Sequence, residues 1–355
     1  MLRLNYNVIG VMSGTSLDGI DVVYANYKFN KIWSFEIINS QTISYVSDWK
    51  TRLSNLVELT SEDLDLIDIS YTKLLADEII KFKKKHNISK VDFIASHGHT
   101  ALHQPEKGIT VQIGNHQLLA DLLNDKVICD FRVQDVKYGG QGAPLVPIGD
   151  RLLFKEYDYC LNLGGFANVS YEENDKRIAF DICPVNIVLN YYVSRLGFEY
   201  DNEGKIARTG NVHIELLQKL NQLRFYNLRP PKSLGLEWVQ EKVLPLIDSY
   251  SIEVEDILRT FTEHIAIQIS KVINKVDTIV LITGGGVYNK FLIERLDNYT
   301  SSKIVIPSND IIEFKEALVF GFLGVLKDRN EVNCLRSVTG ATKDHSSGKI
   351  LVPNV

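Results

Sequence analysis

Residues 11–21 read Val-Met-Ser-Gly-Thr-Ser-Leu-Asp-Gly-Ile-Asp. Within eight positions, Gly14, Thr15, Ser16, Leu17, Asp18, Gly19, Ile20 and Asp21 supply two glycines, two small hydroxyls and two carboxylates. A hairpin tip of this composition can turn backbone N–H groups toward an anion. Asp18 and Asp21 can hold Mg²⁺, directly or through water. The segment thus fits a phosphate grip for a nucleotide, and it equally fits an ordinary hairpin, since Asp-Gly is a common turn pair. It is not a P-loop, because the chain has no Gly-x-x-x-x-Gly-Lys-Ser/Thr. It is not a serine-hydrolase elbow either, because Asp18 stands where the second glycine after Ser16 belongs.

The elements that must carry this tip follow from residue pattern. Residues 7–12, 20–27 and 32–45 are β-rich and form a meander. Ser61 is placed to cap a long helix with an acidic first turn. Leu64, Ile67, Tyr71, Leu74, Leu75, Ile79 and Phe82 then recur at helical spacing. Strands are expected at 91–96, 109–113 and 126–131, with a helix at 118–123. Residues 138–144, Tyr-Gly-Gly-Gln-Gly-Ala-Pro, break the pattern before a helical run at 145–154, and the hinge between domains is placed there. A second β-rich block covers 157–163, 167–171 and 177–182, with its own glycine turn at Gly164 and Gly165. Helices dominate 185–275, a buried strand at 278–282 runs into Gly284, Gly285 and Gly286, and 314–326 is an apolar helix. Two meander-plus-helix halves predict an α/β, two-lobed ribonuclease H-like fold with a central cleft, the layout of the actin, hexokinase and Hsp70 ATPases. The lobes are expected at 1–145 and 146–330, with the tail 331–355 returning to the first.

Composition narrows the function classes. The chain has 355 residues, is 45% hydrophobic and 23% charged, and carries a net charge of −5. No global basic field favours nucleic acid. The lysines at 81–85 fit a solvated helix end. Cys129, Cys160, Cys183 and Cys334 are widely spaced and read as buried thiols, not a disulfide frame. No apolar run is long enough to cross a bilayer, and the N-terminus lacks a secretory layout, so a cytoplasmic protein is expected.

Several motifs in one order carry a resemblance. They are Gly10-Val-Met-Ser-Gly-Thr-Ser-Leu-Asp-Gly-Ile-Asp21, Cys129-Asp-Phe-Arg132, Gly139-Gly-Gln-Gly-Ala-Pro-Leu145, Asn162-Leu-Gly-Gly-Phe-Ala-Asn168, Pro230-Pro-Lys-Ser233, Thr283-Gly-Gly-Gly286 with Asn289, and Glu316-Ala317 with Gly321. Together they resemble the anhydro-N-acetylmuramic acid kinase family. The resemblance implies a dimeric cytoplasmic enzyme of cell-wall recycling that uses ATP and Mg²⁺. Such an enzyme converts 1,6-anhydro-N-acetylmuramic acid and water into N-acetylmuramic acid 6-phosphate.

By this resemblance, residues 14–21 form the first phosphate loop, and Gly164 and Gly165 lie in the second. Gly284, Gly285, Gly286 and Asn289 stand on the adenosine side. Asp181 is the general base for water at C1; on its residue type alone it reads first as a strand-end cap for the following helix. Arg132 is a partner for the lactyl carboxylate or a sugar oxygen, or else for Asp130 or Asp135. Glu316 contacts substrate, unless it is merely a solvated helical glutamate. His97 and His99 share one side of a regular strand, but no thiol or helical histidine completes a zinc spacing around them and His103. The resemblance, which has a related histidine segment lining the sugar pocket, assigns His97 there. Where the family commonly reads Phe-Asp-Thr-Gly-Pro-Gly-Asn, this chain has Phe180-Asp181-Ile182-Cys183-Pro184-Val185-Asn186, which predicts an altered turn and a narrower or drier pocket. Asp150 replaces a histidine often seen in the linking helix. These departures leave two alternatives: a kinase for another anhydro-sugar such as levoglucosan, or a catalytically silent ATP-binding sensor.

Overall fold

The computed structural model describes residues 3–14 and 17–354. Thr15 and Ser16 of the first glycine tip lie outside the described residues. The chain divides into two units, Met1–Leu153 with Phe314–Val355, and Phe154–Glu313.

The strands in chain order are β1 (Asn5–Ser13), β2 (Gly19–Asn30), β3 (Ile32–Ser44), β4 (Phe93–Gln104), β5 (Ile109–Ile113), β6 (Val127–Cys129), β7 (Tyr159–Leu163), β8 (Phe166–Glu173), β9 (Lys176–Pro184), β10 (Ile279–Thr283), β11 (Lys303–Val305) and β12 (Lys349–Leu351). In the first unit the sheet runs β12-β6-β4-β1-β2-β3, with β5 paired to β4. The second unit's sheet runs β11-β10-β7-β8-β9. Each sheet begins with an antiparallel meander and continues with strands parallel to its first strand. The order third-second-first-fourth-fifth thus occurs twice, with β6 as the fifth strand of the first unit. That is the expected duplicated ribonuclease H-like topology.

In the first unit, β1 is buried on both faces, which is why it reads as a continuous apolar run. Ile9 and Val11 join Tyr71, Leu75, Ile79 and Phe82 of the Ser61–Lys85 helix in one core cluster. The opposite face meets the Asn309–Asp328 helix at very close range. A Cβ on Gly10 would lie 2.1 Å from the Ala317 carbonyl oxygen, and one on Gly321 would lie 2.4 Å from the Tyr27 hydroxyl. The tyrosine hydroxyl there donates to the Leu318 carbonyl at 2.6 Å. Small residues on both elements are therefore a packing requirement. The second unit's core gathers around the Val254–Ile273 helix, whose Ile257, Leu258, Phe261, Ile265 and Ile269 meet Leu161, Val169 and Ile182 of the sheet.

Several boundaries differ from the sequence expectation. The long helix is capped by Thr60, whose side chain accepts from the Asp63 N–H, so Ser61 is its first residue. Strand β4 continues to Gln104 because it forms a hairpin with β5. The unit boundaries fall at 153/154 and 313/314, where 145/146 and 330/331 were expected. The Pro147–Leu153 helix belongs to the first unit because Gly149 packs on Val319 and Asp150 pairs with Lys315 at 2.7 Å. Residues 314–330 belong there because the glycine contacts just described hold them on β1 and β2.

Candidate active site

The first unit brings three of the expected substrate residues together. Arg132, at the start of the Val133–Lys137 helix, donates from Nε to His97 Nε2 at 2.7 Å and from Nη1 to the Gly142 carbonyl at 2.6 Å. Arginine only donates, so His97 Nε2 must be the lone-pair nitrogen and its Nδ1–H donates to the Gly98 carbonyl at 2.9 Å. Burial, then the arginine charge, hold the His97 pKa well below the usual histidine range. This histidine is a neutral rest for the guanidinium. Phe320 packs on its ring at 4.6 Å. Glu316 is one turn earlier on the same helix, reachable by solvent yet ringed by protein. Desolvation raises its pKa, and Arg132 is the leading opposing influence. Neither alternative partner claims Arg132 by hydrogen bond: Asp130 pairs with Lys349 at 2.6 Å, and Asp135 accepts the Gly142 N–H at 2.7 Å.

His97 and His99 do not share a face. Gly98 has φ +73°, and the pairing of β1 with β4 slips between Val11 and Ser13. A Cβ on Gly98 would lie 2.4 Å from the Ile113 carbonyl oxygen. This bulge turns His97 toward Phe320 and His99 toward Tyr71 on the other side of the sheet. His99 Nδ1 lies 2.8 Å from Ser13 Oγ, which contacts the Tyr45 hydroxyl at 2.6 Å, and that hydroxyl contacts Tyr71 at 2.6 Å. Burial pushes the His99 pKa down to about 4. This buried chain anchors the end of β1, from which the first glycine tip departs. Sequence reasoning assigned Ser13 no role; its position at the strand end before Gly14 was the available signal.

Of the tip itself, the Leu17 N–H reaches the Gly14 carbonyl at 3.4 Å and Leu17 has φ +60°. Ile20 is 1% exposed and sits in the core, so only its backbone can face a ligand. Gly19 is required by β3, since its Cβ would lie 2.4 Å from the Ile43 carbonyl oxygen. Asp18 is exposed, and Asp21 accepts from the Thr42 hydroxyl at 2.6 Å. Two hard carboxylate oxygen donors beside a glycine turn suit Mg²⁺ better than a softer metal.

In the second unit, Asp181 is half-buried on β9. Its backbone N–H donates to the Lys232 carbonyl at 3.1 Å, and its Oδ2 accepts the Leu234 N–H at 2.8 Å. The segment 232–234 thus holds Asp181, the Lys232 carbonyl at its backbone and the Leu234 N–H at its carboxylate, a role its sequence did not reveal. Desolvation raises the Asp181 pKa, with the Leu234 N–H opposing. Asp181 does not cap the Asn186–Val193 helix, whose preceding residue Val185 makes no side-chain cap. Register aligns Thr283, Asn162, Asn168 and Asp181 across β10, β7, β8 and β9. Cys183 and Val185 are fully buried in the core cluster, and neither has positive φ. The substituted glycines are therefore absorbed by packing, with Asp181 still held at its two backbone contacts.

The glycine loops divide by what surrounds them. Gly284 has φ +85°, and a Cβ there would lie 2.5 Å from Asn162 Oδ1; one on Gly286 would lie 2.7 Å from Leu163 Cβ. Both serve packing. Gly285 has nothing within 4 Å of such a Cβ, and Gly164 and Gly165 have only contacts of 3.5 Å or more. These three leave open backbone, as a nucleotide's close approach demands. Asn289 spends its Oδ1 capping the Lys290–Tyr299 helix at the Leu292 N–H, 2.9 Å away.

The sequence pattern described as anhydro-N-acetylmuramic acid kinase matches residues 6–353. The kinase of that name from Sulfurimonas denitrificans is 32% identical over 367 aligned positions, covering 96% of this chain and 98% of its own. The one from Bacillus cereus is 33% identical, covering 98% and 100%. Among solved structures, the activator of the 2-hydroxyisocaproyl-CoA dehydratase from Clostridium difficile with bound ADPNP aligns at 13% identity and a TM-score of 0.44, over 91% of this chain and 97% of that one. No helix among the described residues is long and apolar enough to cross a membrane. On the near-complete family match and these relatives, the chain belongs to the anhydro-N-acetylmuramic acid kinase family.

Proposed function

We propose that the protein is an ATP-dependent anhydro-sugar kinase. It opens the 1,6-anhydro ring of 1,6-anhydro-N-acetylmuramic acid with water and phosphorylates O6, giving N-acetylmuramic acid 6-phosphate. The observation that carries this reading is Asp181: a half-buried carboxylate with a raised pKa, fixed by the Leu234 N–H, on the sheet that also bears the open glycines 164, 165 and 285. A raised pKa makes a carboxylate a stronger base.

In this reading Asp181 accepts a proton from the water that attacks C1, the C1–O6 bond breaks, and O6 takes the γ-phosphoryl group. Arg132, set by its bonds to His97 and Gly142, receives the lactyl carboxylate, and Glu316 accepts from a sugar hydroxyl. The glycine tip that leaves β1 and the open backbone at Gly164 and Gly165 take the phosphates, and the open backbone at Gly285 accommodates the adenosine side. Asp18 and Asp21 would hold Mg²⁺ through water, which when bound supplies neutralisation of phosphate charge. The family resemblance further supports a cytoplasmic homodimer.

Mass spectrometry of the product formed in heavy-oxygen water tests the reaction. One solvent oxygen at the anomeric hydroxyl together with one phosphate is expected. Nucleotide binding without ADP release would overturn the reading in favour of a sensor, and phosphorylation without solvent oxygen would overturn the coupled ring opening.

A further inference from the structure

Asp135, Cys334 and His345 come together in the first unit, Asp135 three residues beyond Arg132, and none of the three is assigned to sugar or nucleotide. All three are buried, at 0%, 1% and 6% exposure, and one ligand atom from each lies within 4.8 Å of the others. Cys334 is 199 positions from Asp135 in the sequence, yet its thiol donates to Asp135 Oδ1 at 3.0 Å. The Thr339 hydroxyl donates to the same oxygen at 2.8 Å.

The imidazole is the informative member. His345 Nδ1 lies 3.1 Å from the Lys343 carbonyl oxygen, which can only accept, so Nδ1 carries the proton. In the neutral ring Nε2 then presents its lone pair, and that buried atom has no hydrogen-bond partner. It faces Asp135 Oδ1 at 3.6 Å. Asp135 Oδ1 already accepts from Cys334 and Thr339, so the unpartnered Nε2 lone pair, nine-tenths buried and aimed into the cluster, is the open position that a cation would fill. A proton on the imidazole would satisfy Nε2 alone, with the thiol left as a neutral donor to Asp135. A metal ion uses all three. The surrounding hydrogen bonds are those of a ligand set: the histidine's other nitrogen donates to a backbone carbonyl, and the carboxylate's other oxygen accepts the Gly142 N–H at 2.7 Å.

We propose that Asp135, Cys334 and His345 bind one divalent transition metal of the zinc type. The mixed nitrogen, sulfur and oxygen donors select such an ion over Mg²⁺ or Ca²⁺. Binding replaces the Cys334 S–H proton by the metal and releases that proton to solvent, and a water or the Thr339 hydroxyl completes a tetrahedron. The ion fastens the tail of the chain to the helix that follows Arg132. Its role is structural: it takes no part in phosphoryl transfer itself, while Asp135 also holds Gly142, whose carbonyl positions Arg132.

The test uses the full-length protein loaded with Co²⁺ in place of zinc, together with zinc analysis after dialysis. One ion per chain, a sulfur-to-cobalt charge-transfer band and a zinc-dependent rise in melting temperature are expected. Cys334→Ser keeps a hydroxyl donor for Asp135, so the variant should stay folded while losing the band and the zinc-dependent rise; His345→Gln should lose tight binding. The absence of stoichiometric metal in the unaltered protein, a cobalt complex without the thiolate band, or full retention of metal by folded variants would each overturn the proposal. The spectrum of the unaltered protein decides the matter even where a variant fails to fold.

Discussion

Replacing Asp181 by Asn separates the proposed chemistry from the fold. The side chain keeps its shape, and Asn Oδ1 can still accept the Leu234 N–H that now bonds Asp181 Oδ2 at 2.8 Å. What disappears is the proton acceptor. General-base catalysis contributes roughly 10²–10⁴-fold, which at ~1.4 kcal/mol per tenfold is about 3–5 kcal/mol of barrier. Stability should respond differently. A neutral acceptor makes a weaker hydrogen bond than a carboxylate, but desolvation is the leading cause of the raised Asp181 pKa, so the amide also relieves the burial of a charge. These opposing effects leave a net change within about 1 kcal/mol, or about 2–4 °C of melting temperature for a unit of this size. Turnover measured by coupled ADP release should therefore fall at least about a hundredfold while the melting curve and nucleotide binding stay nearly unchanged. The pH profile adds a second readout. The base works ionised, so kcat/KM of the unaltered enzyme should fall as pH drops through a value above the ordinary aspartate range, and the variant's residual rate should lack that limb. Near-normal turnover in Asp181→Asn, or a loss of rate that tracks a loss of folded protein, would refute the assignment.

Two further outcomes follow from the same geometry. Gly285→Ala places its methyl in open space and should leave melting unchanged while raising KM for ATP, whereas Gly286→Ala drives a methyl to 2.7 Å from Leu163 Cβ and should lower the melting temperature; equal behaviour of the two in both assays would contradict the division of that loop. His99 titrates at about 4 when folded, against an ordinary 6.5. Between these values the unfolded chain binds more protons, so stability falls as pH drops through the window, by about 2 kcal/mol from about pH 7 to about pH 5 for this residue. His97 and His264 are depressed in the same direction, so denaturant midpoints of His99→Gln should show a shallower decline, not a flat one; an unchanged slope would show that His99 is not buried neutral.

Local pattern carried much of this architecture. Apolar alternation and glycine punctuation marked the meander of β1–β3, the later one of β7–β9 and the strand before Gly284, because those elements are selected by side-chain period and turn chemistry that neighbours in the chain already express. The candidates Arg132 and Glu316 were named from the ordered blocks that contain them, and Asp181 and His97 from the family resemblance around them. What they touch was not. The alternation rule put His97 and His99 on one face, and the bulge at Gly98, where the Ile113 carbonyl leaves no room for a side chain, sends them to opposite faces. Arg132 was weighed against acidic partners near it in sequence, and it bonds a histidine 35 residues away instead.

The sequence by itself determined that this chain folds as two α/β halves with glycine turns in a set order, since hydrophobic period and backbone permissiveness are local properties. Tertiary structure alone decided which glycines serve packing and which leave room for a ligand. It alone drew Asn289 into a helix cap and brought Asp135, Cys334 and His345 to one point. Those outcomes depend on contacts between segments tens to hundreds of residues apart, and no short window of sequence encodes the distance between two atoms that only the folded sheet brings together.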